Sequence, residues 1–263
     1  SMKIFFLNHM KTGSVFVRDI ISLNTTAYIC DFDLINDLSI SELKRLTEEH
    51  KHVFFRHMLP LPGCEKLIPL IDEDSFGLAC YRDKVDALVS LYKFYQQGQR
   101  YGEYRDVQGE QILNVPYKDA FKSMMSGQYY ELCRNRFNYT ETRNFMAAHF
   151  DPLNRWNYRF EEMVRDPEWF ARDLLNRLGF GGEIKMPKKA NASYWPHNRL
   201  LHLSVNKIFN KVAGIDSGVL QDSITSKSGS PSPLGWIYRL NKRKMFLTKT
   251  QERKLRIRLK EAP

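Results

Sequence analysis

The feature that most constrains this chain is the run Lys3-Ile4-Phe5-Phe6-Leu7, which passes directly into Asn8-His9-Met10-Lys11-Thr12-Gly13-Ser14. The run is too short for a helix and too continuously apolar for a strand with one wet face. It predicts a strand buried on both sides, then a loop and a helix. The order recurs. Residues 52–56 and 75–81 form further apolar strands, and residues 84–97 are helical, with Val85, Leu88, Val89 and Tyr92 on one stripe. Ser39-Ile40-Ser41-Glu42 has the form of a capping box for a helix over 39–50. Helices are also expected over 117–125 and 141–150, and a strand over 156–160. Asp166-Pro167 starts a helix that runs to Leu178 and stops at Gly179. Repeated strand-then-helix order implies an α/β fold of three layers, a mainly parallel central sheet with helices on both faces.

The 263 residues, 43% of them hydrophobic, suffice for one large domain with a sizeable core, and a single domain over 1–263 is expected. The formal charge of +10 is uneven: residues 236–263 hold ten basic and two acidic side chains, while the rest is close to neutral. The excess therefore describes a basic C-terminal helix, about 241–263, packed on the body, and no nucleic-acid partner is expected. Cys30, Cys64, Cys80 and Cys133 stand apart with no C-x-x-C spacing, so neither a metal site nor a disulfide framework is indicated, and a reducing, cytoplasmic setting fits. No apolar run reaches the ~20 residues of a membrane span. Oligomeric state is not readable.

Three segments carry residue types suited to anions. The turn at residues 10–14 directs backbone N–H groups and a helix N-terminus at one spot and adds Lys11 and Ser14, although by itself it is equally an ordinary strand-to-helix turn. It is not a Walker A loop, since Lys precedes the single Gly. Arg82 closes a strand and Ser90 lies about two helical turns on, an arrangement that can share one phosphate; the plain alternative is that Arg82 pairs with Asp83 and Ser90 bonds its own helix. The third segment, residues 158–167, reads in isolation as a strand, an acidic turn and a capped helix.

Together and in this order the three resemble the sulfotransferases that use 3′-phosphoadenosine 5′-phosphosulfate (PAPS). The family's P-K-[ST]-G-[ST]-T loop is similar to Met10-Lys11-Thr12-Gly13-Ser14-Val15. Its R-[DN]-P-x-D-x-x-x-S-x-Y segment is similar to Arg82-Asp83-Lys84-Val85-Asp86 with Ser90 and Tyr92, and its Y-E-D-[LM]-x-x-D-P segment to Phe160-Glu161-Glu162-Met163 with Asp166-Pro167. The resemblance spans residues 3–179. It implies a P-loop-like nucleotide core in which residues 11–15 hold the 5′ group of PAPS, Arg82 and Ser90 hold the 3′-phosphate, and Phe160 lies by the cofactor. It further implies Lys11 as the charge-stabilising catalytic residue and no metal. Many members carry H-L-P after a strand with the His as base, and Phe55-Arg56-His57-Met58-Leu59-Pro60 places His57 comparably, one residue further from the Pro; His9 is the fallback base.

Some positions depart from the pattern. Val15 replaces a hydroxyl residue, Phe16 stands where relatives often have Trp, Phe160 where they often have Tyr, and Lys84 where they have Pro. The C-terminal loop over the 3′-phosphate has its nearest match in Ser226-Lys227-Ser228-Gly229, making Lys227 the candidate there. The implied reaction is sulfuryl transfer to a hydroxyl of a small-molecule or glycan acceptor, with adenosine 3′,5′-bisphosphate (PAP) as product. The alternatives are a P-loop-like kinase of a small metabolite and a non-catalytic binder of anionic polymers acting through the basic tail.

Overall fold

The computed structural model describes residues 2–58, 65–98, 115, 119–187 and 247–260. Five strands, β1 (Met2–Asn8), β2 (Tyr28–Cys30), β3 (His52–Met58), β4 (Ser75–Tyr81) and β5 (Arg155–Arg159), form one sheet in the order β2-β3-β1-β4-β5. Every pairing is parallel. The chain leaves β1 to build one side of the sheet, then crosses to β4 on the other. The carboxyl end of β1 is therefore the point where strand order reverses, where open α/β sheets form a crevice.

Alternation along β1 assigns its side chains to two cores. Ile4 and Phe6 join Val17, Ile20 and Ile21 of α1 (Ser14–Asn24) and Phe170, Ala171, Leu174 and Leu175 of α9 (Pro167–Arg177). Phe5 and Leu7 join Ile35 of α2 (Phe32–Asp37), Leu43 of α3 (Ile40–Glu49), Leu67 and Leu70 of a short 3-10 helix (Glu65–Leu70), and Met146 of α7 (Tyr139–His149). All seven β4 residues are buried, as expected of a strand covered on both faces. At Gly77 a Cβ would come within 2.7 Å of the Phe150 ring, so the residue is small because an aromatic ring lies against its backbone.

The local start and stop signals act as read. Ser39 caps α3 and Glu42 returns a bond to the Ser39 N–H at 2.7 Å, completing the capping box. Asp166 accepts from the Trp169 N–H at 3.0 Å, and α9 ends with Gly179 at φ 72 while the Phe180 N–H reaches the Leu175 carbonyl at 2.8 Å, a Schellman closure. Strand β3 continues to Met58 rather than Arg56, and α7 begins at Tyr139. Phe160, expected at a strand end, instead opens the helix α8 (Phe160–Arg165).

The chain divides into two compact units: residues 1–87, 131–190 and 261–263 in the first, 88–130 and 191–260 in the second. The sheet belongs to the first. Helix α4 (Lys84–Gly98) begins in the first unit and α6 (Gln128–Arg136) ends there. In the second, α5 (Ala120–Ser126) meets the basic helix α10 (Lys249–Lys260). Arg258 donates to the Met125 carbonyl at 3.3 Å and lies 4.4 Å over the Tyr130 ring, while Leu255 and Leu259 are buried. Among the described residues no helix is long and apolar enough to cross a membrane.

Candidate functional site

The loop after β1 has the backbone of an anion cradle. Lys11 has φ 63 and Gly13 φ 81, whereas Thr12 between them does not have a positive φ. Alternating hands of this kind turn successive N–H groups to one side. Gly13 is the N-cap of α1, yet no side chain caps this helix and no acidic residue lies in its first turn, in contrast to α3, α7 and α9, capped by Ser39, Asn138 and Asp166. Ser14 and Val15 form that first turn and are half-buried. Thr12 is fully buried and its hydroxyl donates to the His9 carbonyl at 2.6 Å, so its hydroxyl is turned inward and only its backbone faces the cradle.

Arg82, directly after β4, reaches this loop: its Nη1 donates to the Lys11 carbonyl at 2.6 Å. Its guanidinium lies 4.2 Å over the Phe160 ring. A Cβ on Gly13 would stand 3.2 Å from Phe160 Cε2 and would run into Met163 Cε, so α8 lies directly against the loop. Glu161 accepts from the Asp83 N–H at 2.9 Å and ties α8 to the start of α4. The three segments singled out in the sequence thus meet at one place, at the carboxyl ends of β1 and β4, where Asn8 pairs with Cys80.

The charges there are desolvated. Burial lowers the Lys11 ammonium to about 8, and the nearby Arg82 guanidinium adds to the effect. Burial also pushes Arg82 below its ordinary range, against the upward pull of Asp86 and Glu161. Two cations held this close together are a charge arrangement that an anionic ligand would offset.

His9 does not serve as the fallback base. Its ring is 1% exposed. Its Nδ1–H donates to the Arg136 carbonyl at 2.7 Å, and Nε2 lies 2.9 Å from the Thr142 hydroxyl, which also reaches the Asn138 carbonyl at 3.0 Å. Burial lowers its pKa to about 4, outweighing the Arg136 hydrogen bond, which raises it; the Lys84 charge lowers it further. Both nitrogens are committed inside the protein, so a substrate proton has no place on this ring. His57 sits on β3 paired with Leu7 of β1, and its side chain lies outside the described residues. Ser90 is half-buried on α4 in the second unit. Lys227 lies outside the described residues.

In the sequence Glu161 has a place in an acidic turn and in the family-like segment but no partner, and Tyr139 has no role. Tyr139 donates its hydroxyl to the Arg82 carbonyl at 2.7 Å and accepts from the Arg82 N–H at 3.3 Å, across a sequence separation of 57 that no local pattern encodes.

The class these elements define is a three-layer α/β fold on a parallel sheet. Comparison with solved structures narrows this to the sulfotransferase fold. A sulfotransferase from Alicyclobacillus acidocaldarius superposes with a TM-score of 0.53 at 14% identity, covering 90% of this chain and 99% of that one. Mouse sulfotransferase SULT7A1 complexed with PAP gives 0.46 at 15% identity, over 99% and 84% of the two chains. Retinol dehydratase in a complex with retinol and PAP gives 0.45 at 12%, over 99% and 82%. No family model matches the chain, and neither does any curated protein.

Proposed function

We propose that this protein is a PAPS-dependent sulfotransferase acting on a hydroxyl of a small-molecule or glycan acceptor. The observation that carries the reading is the meeting of the Lys11 loop, Arg82 and Phe160 in one desolvated, cationic place. The residues suit a doubly anionic adenylate: an uncapped helix end and alternating φ signs for one anion, a guanidinium on an adjacent strand end for the other.

PAPS, when bound, supplies the sulfuryl group and a stable leaving phosphate. The chain's own part is positioning and charge neutralisation, as in phosphoryl transfer. Backbone N–H groups of residues 11–14 hold the 5′ group. Lys11 places its ammonium where negative charge grows on the departing oxygen, an interaction strongest in the transition state. Arg82 takes the 3′-phosphate and so separates PAPS from ATP. Phe160 offers a ring face beside the cofactor. His57, at the carboxyl end of β3, accepts the acceptor's proton.

The test is thermal unfolding with PAP, ATP or AMP. A native-state ligand at one hundred times its Kd adds about 2.7 kcal/mol of stability. PAP is expected to raise the midpoint well above either competitor. A response to AMP equal to that for PAP, or no response to any of the three, refutes the reading.

A further inference from the structure

The corner between α6 and α7 touches both anion-binding elements through one pair of side chains. Strand β4 ends at Tyr81, so the Arg82 N–H and carbonyl lie beyond its ladder, and both meet the Tyr139 hydroxyl. One phenol oxygen does for Arg82 what a neighbouring strand does for the residues before it. The edge of the same phenol ring packs on His9, centroid to centroid 4.7 Å. His9 in turn is fastened to Arg136 and Thr142 of the corner, and through its carbonyl to the Thr12 hydroxyl inside the Lys11 loop. Arg82 closes the circuit on the Lys11 carbonyl.

Resting on the function proposed above, we infer that Tyr139 and His9 form a bracket that sets the separation of the 5′ and 3′ anion pockets, and that this spacing selects a nucleotide phosphorylated at both ends. Two contacts made by one rigid ligand reinforce each other only when both can be made at once. A frame that loses its spacing still binds either end, but no longer rewards the ligand that spans both. Tyr139 and His9 are positioning residues: neither is assigned a contact with the nucleotide.

The experiment compares PAP and AMP binding by calorimetry in the wild type, Tyr139→Phe and Arg82→Ala, with the double variant completing the cycle. Tyr139→Phe removes one oxygen and both of its hydrogen bonds, and PAP affinity should fall about tenfold while AMP affinity stays within about twofold. The Arg82→Ala loss for PAP should shrink in the Tyr139→Phe background, because a misplaced guanidinium has less to lose. Equal losses for PAP and AMP, or additive losses in the cycle, overturn the bracket and leave the proposed function standing. A wild type that binds PAP no better than AMP removes both. If Tyr139→Phe does not fold, Thr142→Val, which deprives His9 Nε2 of its partner, is measured the same way and must show the same selective loss.

Discussion

Replacing His9 by Gln should flatten the acid limb of the stability curve. In the folded chain burial holds the His9 pKa at about 4, against 6.5 for an exposed imidazole. Between those values the unfolded chain carries a proton on this ring that the folded chain refuses, so stability rises with pH across the window. The contribution is complete above 6.5 and is lost as pH falls towards 4. At about 1.4 kcal/mol per pH unit the interval corresponds to roughly 3 kcal/mol, a large part of an ordinary folding free energy. Gln keeps an N–H donor and a carbonyl acceptor near the Arg136 carbonyl and Thr142 hydroxyl but does not titrate. Urea denaturation followed by circular dichroism, run from pH 4 to 7.5 on both proteins, isolates the effect. Other titrating groups, including His52, which burial also lowers, are common to both and cancel in the difference. The wild type should lose about 3 kcal/mol more than the variant between pH 7 and 4. Parallel curves would mean that His9 is protonated, or accessible, in the folded state, and would refute the reasoning.

Lys11→Ala should reduce turnover far more than PAP affinity, as expected of a group whose main contact is made in the transition state; equal losses count against that role. Since the Lys11 ammonium titrates near 8 before ligand binds, wild-type PAP affinity should decline as pH rises past that value, and binding near pH 8 should take up a proton, read from calorimetry in buffers of different ionisation enthalpy. Gly13→Ala places a Cβ at φ 81 and against Met163 Cε. The left-handed backbone costs about 1–2 kcal/mol whatever the neighbours do. Met163→Ala should therefore restore only part of the lost thermal midpoint, and full restoration would place the strain in the contact alone.

The parts of the fold that were legible are those encoded within a few residues. The apolar runs of β1 and β4, the Ser39 capping box and the Asp166-Pro167 start with its Gly179 stop all stand where local chemistry puts them. Strand β2 did not show, because Tyr28–Cys30 is three residues long and its place is set by pairing with β3. Helix α6 is polar with little amphipathic contrast and gave no period to read. Phe160 looked like the end of a strand because it follows Trp156 and Tyr158; the chain turns one residue earlier, and Glu161 thereby reaches the Asp83 N–H. Lys11, Gly13 and Arg82 stand in the sequence at family-like spacing, and the Thr12 hydroxyl turns inward through a bond to the His9 carbonyl only three residues away, whereas the enclosure of His9 depends on α6 and α7, more than a hundred residues away.

The position of β1 in the sheet has a consequence for association. Among the described strands the two edges are β2, too short to template a partner, and β5, which begins and ends with arginine and has its Trp156 ring covered by Arg177 at 4.7 Å. Both are poor surfaces for another sheet to extend. The Lys11 loop hangs from the innermost strand, flanked on each side by a full-length neighbour. Fraying at the β2 margin would therefore cost solubility before it disturbed the loop, whereas β5 leads directly into Phe160 and α8, which lie against Arg82 and Gly13, so changes at that edge should reach the loop.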